Sequence, residues 1–208
     1  MYIPSAFRED DPAVIRQIIR DARLATLVTA TPEGLVATPL PMFLIDEEPH
    51  GVLYGHVAKA NPQWKLPTIG EALALFSGPD AYISPSWYAA KREHGKVVPT
   101  WNYVAVHAYG PVEFFEDEDR LNDIVTTLTN QYEGQRDDRW AVTDAPADFI
   151  RALLRGIVGF RLTITRVEGK RKLSQNRSAA DREEVVAGLS QSERDDDHAI
   201  ADLIPKGD

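Results

Sequence analysis

The stretch Pro99–Pro111, reading PTWNYVAVHAYGP, restricts the fold more than any other part of the chain. Its side chains sort with a period of two, the period of a β-strand. Thr100, Asn102, Val104, Val106 and Ala108 share one face, and Trp101, Tyr103, His107 and Tyr109 share the other. The first face is small and apolar, with two polar groups at its entrance. The second is aromatic. Neither reads as plain solvent-facing surface. A strand wanted on both faces belongs in a barrel or at a subunit interface.

At 208 residues the chain is long enough for one sizeable domain. No apolar run approaches the roughly 18 residues of a membrane span. The opening MYIPSAFREDDP carries acid early and has no apolar core, so no signal peptide is expected. The absence of cysteine excludes disulfides, thiolate metal sites and cysteine nucleophiles, and fits a cytoplasmic protein. Lys and Arg number 23 against 32 Asp and Glu, a net charge of −9. That balance disfavours general nucleic-acid binding, which draws on clustered cations. The charge is uneven, however. SERDDDHAIAD is acidic, whereas Arg161–Arg177 is basic through Arg161, Arg166, Lys170, Arg171, Lys172 and Arg177.

Helix and strand signals follow in order. Asp10, Asp11 and Pro12 open a helix, with Val14, Ile15, Ile18, Ile19 and Ala22 on one stripe. Leu24–Ala30 and Leu35–Asp46 read as strands joined by a TPEG turn, with Gly34 available for positive φ. Pro39 and Pro41 each remove a ladder donor. The second strand is therefore an edge strand or bulged, or its chain is held open for a ligand. Gly51–Ala58 is a strand running into KANPQW, where Asn61 is a suitable N-cap and Pro62 a suitable first helical residue. His56, Lys59 and that helix start together offer a phosphate seat, although an ordinary cap beside a surface lysine is the commoner reading. Ala72–Ser77 and Ala81–Ser84 read as short strands around Gly-Pro-Asp, and residues 85–99 as a long loop mixing aromatics with Lys91, Arg92, His94 and Lys96.

After the aromatic strand come a short VEFF strand and a helix capped by Asp117, with Leu121, Ile124, Val125, Leu128 and Tyr132 on one face. A further helix spans Ala147–Arg155, and Val158–Val167 is the last main strand, with Phe160, Leu162 and Ile164 inward. GKRKLSQNRS is extended or loop, and Ser178 with Asp181 resembles a capping box. The expected fold class is mainly β with peripheral helices (α+β), a small barrel. One domain is expected over residues 1–190, with a flexible acidic tail over 191–208. The five histidines are scattered without metal spacing, and no acid–base pair marks a catalytic centre.

Six segments, in order along nearly the whole chain, resemble the PaiB-type family of FMN-binding negative transcriptional regulators. They are MYIPSAF, TPLPMFL, GHVAKANPQW, FSGPDAYISPSWY, VPTWNYVAVHAYG and KLSQNR. The resemblance implies a split β-barrel of the flavin-reductase and pyridoxamine-phosphate-oxidase kind, acting as a homodimer with FMN in the groove between subunits. It places Thr38, Pro39 and Leu40 beside the flavin ring, and His56, Lys59 and Asn61 where such folds grip the phosphate. It also places Thr100 and Asn102 near ring or ribityl oxygens, and Lys172, Gln175 and Asn176 of the other subunit at the same groove. A promoter-DNA partner is implied, with Lys91–Lys96 or Arg161–Arg177 as the available basic surface. The alternative on the same fold is a flavin- or haem-dependent oxidoreductase, with His94 or His107 as a haem ligand.

Overall fold

A computed structural model describes residues 1–47 and 49–206. In chain order the elements begin with β1 (Arg8–Glu9), α1 (Pro12–Asp21), β2 (Ala25–Thr31), β3 (Gly34–Leu40), β4 (Met42–Ile45), β5 (Val52–Ala58) and β6 (Ala72–Ile83). They continue with α2 (Ala89–Glu93), β7 (Thr100–Gly110), β8 (Val112–Phe115), α3 (Glu118–Glu133), α4 (Ala147–Leu154), β9 (Ile157–Thr163), β10 (Arg166–Lys172), α5 (Ala179–Leu189) and α6 (Asp195–Leu203). The chain divides into two compact units, one of Met1–Ile15, Ser77–Val106 and Glu168 onward, the other of Arg16–Phe76 and His107–Val167.

The Arg16–Phe76/His107–Val167 unit is built on the predicted hairpin. β2 and β3 pair antiparallel from Ala25↔Leu40 to Thr31↔Gly34. Gly34 takes a φ of +120°, open to glycine and strained for other residues. The Thr31 hydroxyl donates to the Gly34 carbonyl at 2.8 Å and closes the turn. Pro39 sits in β3, an edge strand, so its missing N–H breaks no ladder. At Pro41 the chain leaves this sheet, and β4 becomes an edge of a second sheet ordered β4-β5-β9-β8. The Leu35–Asp46 strand of the sequence reading is thus two edge strands. α3 covers the second sheet with its apolar stripe. Leu121, Ile124 and Leu128 form a core with Phe43, Phe115 and Leu154. The Asp117 carboxylate caps α3 by accepting from Arg120 N–H at 2.9 Å.

In the other unit the strand order is β1-β10-β7-β6. β7 is the aromatic strand, and its Asn102, Val104, Val106 and Ala108 face is buried as expected. Two readings need correction here. Gly78, Pro79 and Asp80 do not break the chain into two strands, because β6 runs unbroken from Ala72 to Ile83. Its pairing with β2 ends at Phe76, so Pro79 lies where that neighbour no longer needs its N–H. The long loop after it holds a 3-10 turn at Pro85–Trp87 and the short helix α2. α2 is tied to α5 by Ala90 N–H donating to the Asp181 carboxylate at 3.0 Å, and by an Arg92–Glu184 ion pair. Within the segment expected to be a flexible tail, α6 forms with Asp195, Asp196 and Asp197 in its first turn and buries Ile200 and Ala201. Acid at a helix N-terminus complements the macrodipole, which gives this charge run a helical use.

Candidate functional site

Apart from His56 and Lys59, the expected site residues fall into two polar clusters, one in each unit. The first is organised by Gln63, which the sequence reading passed over. Asn61 and Pro62 start only a 3-10 turn, Pro62–Lys65, and the Asn61 carboxamide accepts the Gln63 N–H itself at 2.9 Å. That short turn therefore presents no free helix N-terminus to an anion. Gln63 is fully buried. Its Nε2 donates to the Thr29 hydroxyl at 3.1 Å and to the carbonyls of Leu27 and Val36 at 3.2 and 3.3 Å. Its Oε1 accepts from Thr38 at 2.6 Å, and Asn61 Nδ2 donates to the same Thr38 hydroxyl at 2.9 Å. Thr38 and Asn61 are thereby fixed together at the half-buried edge of β3, beside exposed Pro39 and buried Leu40.

His56 and Lys59 do not join this cluster. Lys59 is ion-paired with Glu116 in a small recess bordered by Leu121, Leu154 and Arg155. Its charge is already matched. His56 lines a separate cavity with Pro41, Leu128 and Trp140. Burial pushes its pKa below the usual histidine value, and its Nδ1 is buried without a hydrogen-bond partner among the described residues.

The second cluster joins β7 to the turn after β10. Asn102 is fully buried and exchanges hydrogen bonds with Ser174, its Nδ2 donating at 2.9 Å. It braces the turn and does not face open space. Ser174 carries a φ of +61°, an unfavourable value for a non-glycine residue, held in place by that Asn102 contact. Gln175 folds back on the same turn, accepting Leu173 N–H at 2.7 Å and donating to the Arg171 carbonyl at 2.5 Å. Asn176 is exposed. Lys172 donates to the Thr100 hydroxyl at 2.5 Å. Burial lowers its pKa, and the neighbouring Lys170 and Arg177 charges push it the same way.

Those three cations carry the distinctive chemistry of this unit. Lys170 lies 5.0 Å from the Tyr103 ring centre and Arg177 4.6 Å from that of Tyr88. Among the described residues none of the three forms an ion pair with a carboxylate, whereas Arg171, on the opposite face of β10, pairs with Glu9 at 3.3 Å. A partly desolvated lysine flanked by two further cations and a hydroxyl is a donor set suited to a phosphate monoester. Residues Thr100, Lys170, Lys172 and Arg177 could thus hold a phosphate group, whereas Lys59 is already paired with Glu116. The sequence signal for this was the alternation along β10, which puts Lys170 and Lys172 on one face and Arg171 on the other.

The basic segments considered for DNA are partly neutralised. Arg92 pairs with Glu184, and Arg161 with Glu47 at 3.5 Å. Arg166 stacks 3.6 Å over the Tyr109 ring. Among the described residues no cluster of three or more His, Asp or Glu could hold a metal ion, and no helix is long and apolar enough to cross a membrane.

Mainly antiparallel sheet with peripheral helices makes this an α+β protein of the split-barrel class. Solved structures share the fold at low identity. The flavocytochrome Anf3 from Azotobacter vinelandii superposes with a TM-score of 0.59 at 15% identity, covering 93% of this chain and 75% of that one. The FAD and haem binding protein from Mycobacterium smegmatis gives 0.59 at 14% identity, covering 87% and 80%. Residues 1–166 match the family described as "Putative FMN-binding domain", and the chain belongs to that family. Among its relatives is the protease synthase and sporulation protein PAI 2 of Bacillus subtilis (strain 168), 35% identical over 205 residues that cover 98% of this chain and 96% of the relative. A protein of Emericella nidulans is 32% identical, covering 98% and 96%. The chain is thus a PaiB-type member of the FMN-binding domain family.

Proposed function

We propose that this chain binds FMN as a cytoplasmic homodimer and acts as a negative transcriptional regulator. The observation that supports flavin binding most strongly is the uncompensated Lys170, Lys172 and Arg177 group around Thr100. In this reading the group, from one subunit of the dimer, holds the flavin phosphate. Thr38, Pro39, Leu40 and Asn61 of the other subunit, fixed by Gln63, present hydroxyl, carboxamide and backbone groups to the ring's polar edge. Asn102 and Gln175 position the turn that carries Lys172, and exposed Asn176 adds a carboxamide at its rim. Bound FMN supplies a flat redox-active ring, while the protein sets its orientation and surroundings. The half-exposed Trp101, packed edge-on against Tyr82 at 5.8 Å, belongs to the surface that meets a second copy. Titrating the purified chain with FMN and following flavin fluorescence tests the cofactor. Saturable quenching is expected, and no binding by about 50 μM would overturn the reading.

The regulatory half rests on family membership and on the cations left over in the basic segments, Lys91 and Lys96 on the α2 side. Retardation of promoter DNA that weakens steeply as salt rises is expected. No retardation at low salt would remove the regulator role and leave the flavin site standing. The alternative is an FMN-dependent oxidoreductase, favoured by fold neighbours described as a flavocytochrome and as an FAD and haem binding protein. Haem ligation here would have to use Nε2, since His94 Nδ1 accepts Lys96 N–H at 3.0 Å and His107 Nδ1 lies 3.3 Å from the Tyr109 hydroxyl. NADH or NADPH oxidation by the FMN-loaded protein would favour this alternative.

A further inference from the structure

The His56 cavity has features that flavin-phosphate binding does not use. It has a volume of about 310 Å³, enough for one or two fused rings. Its floor is apolar, formed by Pro41, Val125 and Leu128. Its rim is aromatic: Tyr132 and Trp140 stand 41% and 46% exposed, unusual for residues of that size. The Tyr132 ring is held by its hydroxyl, which donates to the Arg23 carbonyl at 3.1 Å, and the main chain at Trp140 is held by its backbone N–H, which donates to the Glu133 carboxylate at 3.2 Å. Fixing this part of the rim reduces the ordering a ligand must impose.

His56 and Thr129 also line the cavity, and the His56 Nδ1 is buried without a hydrogen-bond partner among the described residues. Burial keeps the imidazole neutral near pH 7. A neutral imidazole carries one N–H donor and one acceptor nitrogen but offers no charge to an anion. Glu133 at the rim, itself paired with Arg136 at 3.5 Å, adds no cation either. An apolar floor, aromatic walls, a hydroxyl and an imidazole without charge favour an uncharged ligand.

We infer that this cavity binds a small, neutral, planar molecule that exchanges one hydrogen bond with His56, at a site separate from the flavin. It is the natural place for an effector of the proposed regulator, yet it does not depend on FMN binding. Phenol is the probe and toluene its control, because they share shape and differ in the donor. With the full-length chain, the ring nitrogens of His56 are followed by NMR as each compound is added. Phenol is expected to shift the His56 signals saturably, with toluene about tenfold weaker. Trp140→Ala should weaken both compounds, and His56→Phe should abolish the preference for phenol. Equal binding of the two, or no saturable shift with phenol, would overturn the site. So would competitive displacement of phenol by FMN, which would make the cavity part of the flavin site. Phenol binding to a chain that fails to bind FMN would uphold this inference while defeating the flavin reading.

Discussion

Replacing Gln63 by Met keeps the side chain's length and removes all of its polar contacts. The carboxamide makes hydrogen bonds to Thr29, Thr38 and the carbonyls of Leu27 and Val36, with no exposure to water. Two N–H groups and one carbonyl oxygen are lost, each bond contributing about 1 kcal/mol net. Water cannot take their place at Thr29, which is itself fully buried. The expected loss for Gln63→Met is therefore about 3 kcal/mol, and Gln63→Ala adds about 1–2 kcal/mol for the cavity it opens. Urea denaturation followed by circular dichroism measures both, with the slope of the transition unchanged. Thr29→Val combined with Gln63→Met should be less damaging than the sum of the two by about 1 kcal/mol, the signature of a direct contact. A Gln63→Met protein within about 0.5 kcal/mol of the parent would refute the idea that this network holds β2, β3 and the Asn61 turn together.

Gly110→Ala should be among the most damaging single changes, because the added Cβ would lie 1.8 Å from the Thr163 carbonyl oxygen, and backbone cannot move aside as a side chain can. Loss of soluble protein or a thermal transition lowered by many degrees is expected, and an unchanged melt would contradict the close approach. His56 has a folded pKa held below its ordinary 6.5. Its contribution is thus complete above about pH 6.5 and is lost as pH falls through the lower folded value. His56→Phe should flatten that part of the pH–stability curve, and an unaltered acid limb would count against the burial of this ring. Arg120→Ala should lower stability by about 1 kcal/mol or less in thermal denaturation. Its ion pair with Glu113 is well exposed, so most of the effect comes from losing the guanidinium stacked 3.4 Å over Phe115.

The sequence was informative where local chemistry and periodicity agree. The Gly34 turn, the Asp117 cap, the α3 stripe and the two faces of β7 all depend on neighbours close in the chain. Pro39 and Pro41 also marked edge strands, though not that the chain changes sheets between them. What local signals missed was set by distant partners. Lys59 looked available until Glu116, on the far side of β7 in the chain, proved to neutralise it. Gln63 follows an ordinary Asn-Pro start, and its importance comes from four polar groups on β2 and β3. Gly78, Pro79 and Asp80 read as a turn because pairing with β2 lapses beside them, which only the register reveals. The acidic C-terminal run looked solvated, yet Ile200 and Ala201 give it a buried side.

The most direct test compares FMN with riboflavin, which differ by the phosphate alone. Flavin fluorescence titrations on the parent chain and on Lys172→Ala would report both affinities. The parent is expected to prefer FMN by at least about tenfold, and Lys172→Ala should lose most of that preference while leaving riboflavin binding nearly unchanged. Equal affinity of the parent chain for the two flavins would contradict a phosphate seat at Lys170, Lys172 and Arg177.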